Sequence, residues 1–189
     1  MALTFNENDR QRFDHWSETY ESSFMQWLIF DRVHRAVLRQ LPDDLRPSQI
    51  LDIGCGTGRL LRRMHARWPD AALWGVDPSE GMACKASQLT PYAMIYQATA
   101  EHIPAKDASL DLVTSTMSFH HWSNQALGVI EIFRVLRPGG YFVLADTNIG
   151  HGSPLSRGQV RELFRSCGFS VRSQSRLVPY LTISVATRP

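Results

Sequence analysis

The strongest constraint on the fold is a short apolar run that leads into a turn with glycine at every second position. Residues 50–53 read Ile-Leu-Asp-Ile, Gly54, Gly56 and Gly58 follow, and a segment of helical period begins near Arg59. Glycine adopts positive φ without steric cost and lets a ligand approach the backbone closely. A helix that starts directly after the turn offers free N–H groups and about half a positive charge. The segment therefore predicts a strand, a tight turn and a helix that together can hold an anionic group.

The rest of the chain alternates short β-branched runs with segments of helical period, which is typical of a parallel sheet covered by helices on both faces. The turn at 176–179 is too short for a crossover helix, so we expect the final strand to be antiparallel. A capping box at Ser156 to Gln159 predicts the start of the last helix. The predicted strands are 49–53, 72–77, 93–97, 110–115, 140–146, 169–174 and 180–187.

The chain is expected to divide into an N-terminal helical segment at 1–47 and a single compact domain at 48–189. Packing in a helical core explains Phe24 and Trp27, which keep a helical period. Phe13, Trp16 and Tyr20 precede the strongest period and favour a lid over the site, which would suit a flat, apolar or cationic acceptor. The aromatic residues concerned are Phe13, Trp16, Tyr20, Phe24, Trp27 and Phe30.

The composition of the chain disfavours several classes of function. The formal net charge is +2, and the 20 lysines and arginines are scattered, so no basic patch predicts nucleic-acid binding. No apolar stretch reaches the roughly 18 residues that a membrane span needs, and a cytoplasmic location is expected. The three cysteines lie far apart and are odd in number, which predicts reduced thiols without a disulfide framework or a zinc site.

Two aspartates indicate the chemical class of the ligand. Asp77 ends the second predicted strand, about 20 residues after the turn, where a ribose-binding acid lies in nucleotide-binding folds. Asp-Pro-Ser-Glu also suits a helix start, so Asp77 could be a helix cap, and both roles can hold. Asp52 would repel a pyrophosphate but suits an ammonium group. The spacing Gly-x-Gly-x-Gly also differs from the dinucleotide pattern. These features favour an amino acid joined to adenosine.

Three segments, Leu51–Gly58, Gly75–Ser79 and Phe133–Gly140, strongly resemble class I S-adenosylmethionine-dependent methyltransferases. More narrowly, the chain resembles the small-molecule branch that includes the ubiquinone and menaquinone biosynthesis enzymes. The likeness covers about residues 49–146. It implies a doubly wound, Rossmann-like α/β sheet of seven strands in the order 3-2-1-4-5-7-6, with the last strand antiparallel and an N-terminal helical cover.

The resemblance also implies where S-adenosylmethionine, and its product S-adenosylhomocysteine, would bind. The methionine part would lie on the glycine turn with Asp52 near its amino group, and Asp77 would take the ribose hydroxyls. Thr99 stands where the family usually has an acid at the adenine edge, so this contact is expected to be weaker or left to the backbone and Ala100. The implied cofactor contacts are Tyr20, Asp52, Gly54, Cys55, Gly56, Gly58, Asp77, Pro78, Met82, Thr99, Ala100, Glu101 and Ser115.

Candidates for chemistry on the acceptor follow the fourth strand, at the edge where open α/β sheets bind ligands. His120 or His121 could accept a proton, since the unperturbed pKa of histidine is about 6.5. The alternative is that one histidine packs under the next helix and the other faces solvent. No third ligand has the spacing for a metal site. The segment 146–152 ends the fifth strand on the same edge and should face the acceptor pocket.

The leading hypothesis is therefore methyl transfer to a small-molecule acceptor by a monomer or homodimer without a nucleic-acid partner. A protein that binds the cofactor without turnover is an alternative, suggested by Thr99 and by the short segment after the fifth strand. A nicotinamide-dependent dehydrogenase is a third. A nucleic-acid or protein glutamine methyltransferase is disfavoured because residues 115–118 lack the Pro-Pro-aromatic form that holds a planar amino group.

Overall fold

The computed structural model describes residues 24–149, 152 and 154–189, in which one seven-stranded sheet is flanked by helices. The strands are β1 (Gln49–Ile53), β2 (Ala72–Asp77), β3 (Ala93–Gln97), β4 (Leu110–Thr116), β5 (Leu136–Thr147), β6 (Ser170–Val178) and β7 (Leu181–Thr187). The helices are α1 (Phe24–Arg39), α2 (Arg59–Arg67), α3 (Glu80–Leu89), α4 (Gln125–Val135) and α5 (Arg157–Ser166). A short 3-10 turn, Phe119–His121, follows β4.

The order of the strands is β3-β2-β1-β4-β5-β7-β6. Strands β1 to β5 are parallel, whereas β7 runs antiparallel to both β5 and β6. The predicted fold class, strand order and antiparallel last strand are thus confirmed. The order reverses between β1 and β4, and the crevice outside the carboxyl ends of the strands at such a point is where open α/β sheets bind ligands.

Two strands extend by four residues at one end beyond the bounds that the sequence pattern predicted. β5 begins at Leu136, because Leu136 pairs with Leu110 of β4 and the Gly139 N–H donates to the carbonyl of Arg188. β6 continues to Val178, because its last residues keep their partners on β7 up to the short connection. Pairing between strands, which local periodicity does not report, sets both boundaries.

The helix starts follow local chemistry. The capping box at Ser156 and Gln159 is present, and it begins α5 as predicted. Ser79 caps α3 by accepting a hydrogen bond from the Met82 N–H. The residue ahead of α2 is Gly58, in the left-handed conformation at φ 79°. Ser156 and Ser79 thus supply partners for backbone N–H groups at a helix start, where the intrahelical partners are missing, whereas α2 begins without a side-chain cap.

The core lies on both faces of the sheet. Helices α1 and α2 pack on one face, and helices α4 and α5 pack on the other. Burial of these apolar side chains stabilises the fold by about 25 cal/mol for each Å² removed from water. The buried residues of the first face include Val33, Val37, Leu60 and Met64, and those of the second include Val129, Ile132, Phe142 and Phe164. Within the described ranges, the structure has no helix of the length and apolarity that would let it cross a bilayer.

Asp111, at the start of β4, joins three strands. Its carboxylate accepts hydrogen bonds from the Ser48 N–H at 2.6 Å, the Ser48 hydroxyl at 2.8 Å and the Gln49 N–H at 2.9 Å. It also forms an ion pair with Arg137 of β5. Asp111 is buried, so loss of its carboxylate would leave these donors without their partner.

We therefore expect Asp111→Ala to lower the free energy of unfolding by roughly 2–3 kcal/mol. Urea unfolding followed by circular dichroism would measure it. Asp107→Ala is the matched control, because its ion pair with Arg134 is exposed and should contribute less than about 1 kcal/mol. Equal effects of the two substitutions would contradict a structural role for Asp111.

Candidate active site

The glycine turn after β1 has positive φ at all three glycines, 67° at Gly54, 53° at Gly56 and 79° at Gly58. A β-carbon at Gly54 would lie 2.4 Å from the Ser118 side chain, and one at Gly58 would lie 2.8 Å from Thr90. A β-carbon at Gly56 would meet nothing within 4 Å. Gly54 and Gly58 are therefore required by packing, whereas Gly56 borders open space that a side chain would enter.

Several backbone N–H groups of the turn already donate hydrogen bonds to other protein groups. The N–H groups of Gly54 and Cys55 donate to the Val76 carbonyl at 2.8 and 3.1 Å, and the Gly58 N–H donates to Cys55 at 2.9 Å. The Gly56 N–H donates to the Asp77 carboxylate at 2.9 Å. These groups hold the turn against β2, so binding of an anion by them is weaker than the glycine pattern alone suggests.

Asp77 ends β2 and connects two loops. One carboxylate oxygen accepts the Gly56 N–H, and the other accepts the Ser79 N–H at 3.0 Å. Ser79, not Asp77, is the cap of α3, so Asp77 supports the start of that helix without capping it. A carboxylate has about four acceptor positions, so two backbone donors do not exclude hydroxyl donors of a ligand.

Asp52 is buried inside β1 with 1% of its surface exposed. Its carboxyl group accepts a hydrogen bond from the Thr114 hydroxyl at 2.7 Å. Burial, with a smaller contribution from the charge of Asp77, raises the pKa of Asp52 from 3.8 to about 7. A cation placed beside Asp52 would favour its ionised form and lower this pKa.

A cleft of about 310 Å³, part of it open to solvent, joins Asp52 and the glycine turn to α1. His34 of α1 lies in this cleft with 5% of its surface exposed, 3.4 Å from the Thr116 hydroxyl. Burial, followed by the positive charges of Arg59 and Arg62, lowers the pKa of His34 to about 4, so it is neutral at pH 7. The cleft is lined by Phe30, His34, Asp52, Gly54, Cys55, Gly56, Thr57, Arg59, Leu60 and Thr116.

Sequence reasoning missed the two basic side chains of this cleft, Arg59 and His34. Arg59 is the first residue of α2 and is buried. A cation directly after the glycine turn was a usable signal for it. His34 lies on a helix whose apolar period predicted packing alone, and only the docking of α1 brings it to the cleft.

The residues predicted for the adenine side lie around the ends of β2 and β3. Met82 and Ala100 are buried, and Pro78 and Thr99 are half-buried. Glu101 accepts the Asn124 N–H at 2.9 Å, which ties its loop to the start of α4. Tyr20 lies outside the described residues, as do Phe13 and Trp16, and their lid role stays a prediction. The domain boundary at residue 47 also stays a prediction.

The acceptor side is built on the ends of β4 and β5. Ser115 is buried, and its hydroxyl lies 2.8 Å from that of Ser118. Nδ1 of His120 lies 2.7 Å from one carboxylate oxygen of Asp146, and the His120 backbone N–H donates to the other at 2.8 Å. The ring of His121 lies 4.1 Å from that of His120, between centroids. The sequence predicted both histidines but not this partner for His120.

Known proteins are similar to this chain in sequence. Residues 51–144 match a family model described as a methyltransferase domain. A malonyl-[acyl-carrier protein] O-methyltransferase of Dechloromonas aromatica is 35% identical over 137 residues, which are 72% of this chain and 49% of that protein. A similar enzyme of Geobacter sulfurreducens is 37% identical over 118 residues, 60% of this chain and 44% of that protein. The chain belongs to the methyltransferase-domain family. It spans about half the length of the curated relatives it matches.

Solved structures show the same fold. A chain from the complex of the Haloferax volcanii Trm112 methyltransferase activator with a methyltransferase has a TM-score of 0.83 at 20% identity, with 95% of this chain and 97% of that chain covered. The [4+2]-cyclase SpnF has a TM-score of 0.74 at 18% identity, with 84% and 80% covered. The class I methyltransferase resemblance drawn from the motifs is thus confirmed for the family and for the fold.

The raised pKa of Asp52 predicts how stability changes with pH. Between its unfolded value of 3.8 and its folded value of about 7, the folded protein holds a proton that the unfolded chain has lost. The free energy of unfolding therefore falls as pH rises through this window and levels off above about pH 7. Asp52→Asn should remove this loss, making the variant more stable than the parent at pH 8 by roughly 1–4 kcal/mol.

Urea unfolding at pH 4 and pH 8 would test this expectation. The two proteins should differ little at pH 4. Asp44→Asn, at an exposed loop position, is the control and should follow the parent at both pH values. A parent protein more stable than Asp52→Asn at pH 8 would show that Asp52 is ionised and satisfied inside the fold.

Proposed function

We propose that the chain binds S-adenosylmethionine in the cleft of the glycine turn and transfers its methyl group to a small-molecule acceptor. The observation that supports this most strongly is the combination of one buried carboxyl group, Asp52, one buried guanidinium, Arg59, and open space at Gly56 in a single cleft. A zwitterionic amino acid carries the two complementary charges. The donor also carries an adenosine, for which Asp77 and the residues after β2 provide the second half of the site.

The charges favour an amino acid over a phosphate. The ammonium of the methionine part would face Asp52. The raised pKa of Asp52 means that its ionised form is unfavourable without a partner, and a cation beside it would stabilise that form. The carboxylate would face Arg59 at the start of α2, where a charge-assisted hydrogen bond and the helix dipole act together. A pyrophosphate in the same cleft would meet Asp52, which argues against the nicotinamide alternative.

The adenosine contacts extend this proposal to the ends of β2 and β3. Asp77 would accept hydrogen bonds from the ribose hydroxyls while its two backbone donors keep it in place. Met82 and Ala100 would pack on the adenine ring, with Pro78, Thr99 and Glu101 at its rim. Cys55 and Ser115 would border the methionine part, and Tyr20 would cover it.

The bound donor supplies a methyl group on a sulfonium, which is already a good leaving group. The residues of this chain therefore mainly have to align donor and acceptor, and alignment alone can contribute about 7–11 kcal/mol. The names of the curated relatives make an acyl group on a carrier protein one candidate acceptor. A location in the cytoplasm would fit such a role.

A cofactor-binding protein without turnover is the second candidate, because the segment between β5 and α5 is short and Thr99 stands where the family resemblance implies an acid. Calorimetry with S-adenosylmethionine and S-adenosylhomocysteine would test binding, and release of S-adenosylhomocysteine with an acceptor panel would test turnover. Binding with turnover supports the methyltransferase. Binding without turnover on any acceptor favours the second candidate, and thermal stabilisation by NAD alone contradicts both.

Gly56→Ala should weaken S-adenosylmethionine binding at least tenfold, because its β-carbon would occupy the open space where the methionine part is proposed to lie. Gly139→Ala is a matched control, since Gly139 also has positive φ, 82°, and a β-carbon there also meets nothing within 4 Å. Both substitutions should lower the free energy of unfolding by about 1–2 kcal/mol. Calorimetric dissociation constants that change equally in the two variants would remove Gly56 from the site.

A further inference from the structure

His120 is held by two hydrogen bonds to one carboxylate. Its ring Nδ1 and its backbone N–H both lie within 2.8 Å of Asp146, one on each carboxylate oxygen. His120 is 8% exposed and Asp146 is 7% exposed, so the pair is shielded from water. Within the part of the chain that the structure describes, none of the hydrogen bonds of His120 uses Nε2. The ring is therefore fixed with one nitrogen committed to Asp146 and the other left for a further partner.

The carboxylate also selects the tautomer. A carboxylate accepts hydrogen bonds, so Nδ1 carries the proton that it donates to Asp146, and Nε2 carries a lone pair. The charged or titratable side chains near the pair include His121, whose ring lies beside that of His120, and Arg157 of α5, which lines a small cavity together with Asp146. A proton taken by Nε2 would produce an imidazolium stabilised by Asp146, which is the arrangement of a general base.

The position of the pair suits the acceptor side of the proposed reaction. His120 follows β4, and Asp146 is near the end of β5, so both lie at the carboxyl edge of the sheet. Thr116, at the end of β4, lines the cleft that is proposed to hold the donor. The short loop from Thr116 to His120 therefore leads from the donor cleft to the His120–Asp146 pair.

We propose that His120 is the catalytic base of the methyl transfer, that Asp146 is its positioning residue, and that the acceptor group is a hydroxyl or phenol, which carries a proton at neutral pH. This inference rests on the proposed function and specifies its acceptor. A carboxylate, such as the one a malonyl group offers, is already ionised at neutral pH and needs no base. A buried, oriented base is useful only where the attacking atom must lose a proton.

For a hydroxyl acceptor, methyl transfer exchanges one bond of the methyl carbon for another. The acceptor oxygen forms a bond to the methyl carbon while the bond from that carbon to sulfur breaks, and the bonding pair remains on sulfur. The hydroxyl proton passes to Nε2 of His120, which later releases it to water. The products are the methyl ether, S-adenosylhomocysteine and one proton.

The chemistry of the product tests the acceptor class. The protein is incubated with methyl-labelled S-adenosylmethionine and a panel of phenols, alcohols and carboxylic acids, and the products are treated with mild alkali. Methyl esters are hydrolysed and release labelled methanol, whereas methyl ethers are stable. We expect alkali-stable label. Alkali-labile label alone, or no label on any hydroxyl-bearing compound, overturns the proposal.

Variants test the two residues. His120→Gln should lower kcat for the hydroxyl acceptor by about 10²–10⁴-fold with little change in donor affinity. Asp146→Asn should lower kcat at least tenfold, and the double variant should be no slower than His120→Gln, because the two residues act as one unit. His65→Gln is the control, since His65 stacks on Tyr92 away from the cleft. Unchanged kcat in His120→Gln, or loss only in His121→Gln, overturns the assignment.

A second measurement needs no turnover. Nitrogen NMR of the labelled imidazoles, with His120 assigned by its disappearance in His120→Gln, should show Nε2 as the unprotonated nitrogen. In Asp146→Asn the amide can donate to Nδ1, and the proton should move to Nε2. Protonation of Nε2 in the parent protein contradicts the proposal even where the donor binds. Failure of the proposed function is recognised separately, as absence of donor binding in calorimetry.

Discussion

The geometry of the site depends on one carboxylate that joins two loops. Asp77 accepts the Gly56 N–H from the turn after β1 and the Ser79 N–H from the start of α3, so the ends of two neighbouring parallel strands are fixed to each other. The glycine turn is also bonded to Val76. This internal bonding orients the turn before any ligand arrives, and preorganisation of this kind lowers the entropy that binding must offset.

Burial of the Asp52 carboxyl group lowers the free energy of unfolding when Asp52 is ionised. Its carboxyl group is buried beside another acid, and both effects make its ionised form unfavourable in the free protein. In the proposed complex the ammonium group of the donor would relieve this cost. The neutral state of His34 has a related origin, because burial and two nearby arginines disfavour a second positive charge in the cleft. The cleft therefore contains both an acidic side chain, Asp52, and a cationic one, Arg59.

Structural features that depend on residues close together in the chain were predicted correctly from local sequence patterns. The strand and helix positions, the capping box at Ser156 and the positive φ of the glycine turn follow from near neighbours, and the strand order followed from the family resemblance. Contacts between distant segments were not predicted. His34 meets Thr116 across 82 positions, and His120 meets Asp146 across 26. The early start of β5 has the same explanation, because its partner Arg188 lies near the end of the chain.

The fold by itself does not determine the reaction, since a [4+2]-cyclase has the same architecture as the methyltransferases that match this chain. What can differ between such proteins is the set of side chains at the carboxyl ends of β4 and β5. In this chain that edge holds a histidine whose orientation is fixed by a buried carboxylate, rather than a purely apolar wall. Burying this polar pair costs free energy unless it is satisfied, and its two hydrogen bonds satisfy Asp146 together with Nδ1 and the backbone N–H of His120. Among the described residues no hydrogen bond uses Nε2, which is the atom proposed to take the acceptor's proton. The proposed reaction is therefore more closely specified by this pair than by the sheet that carries it.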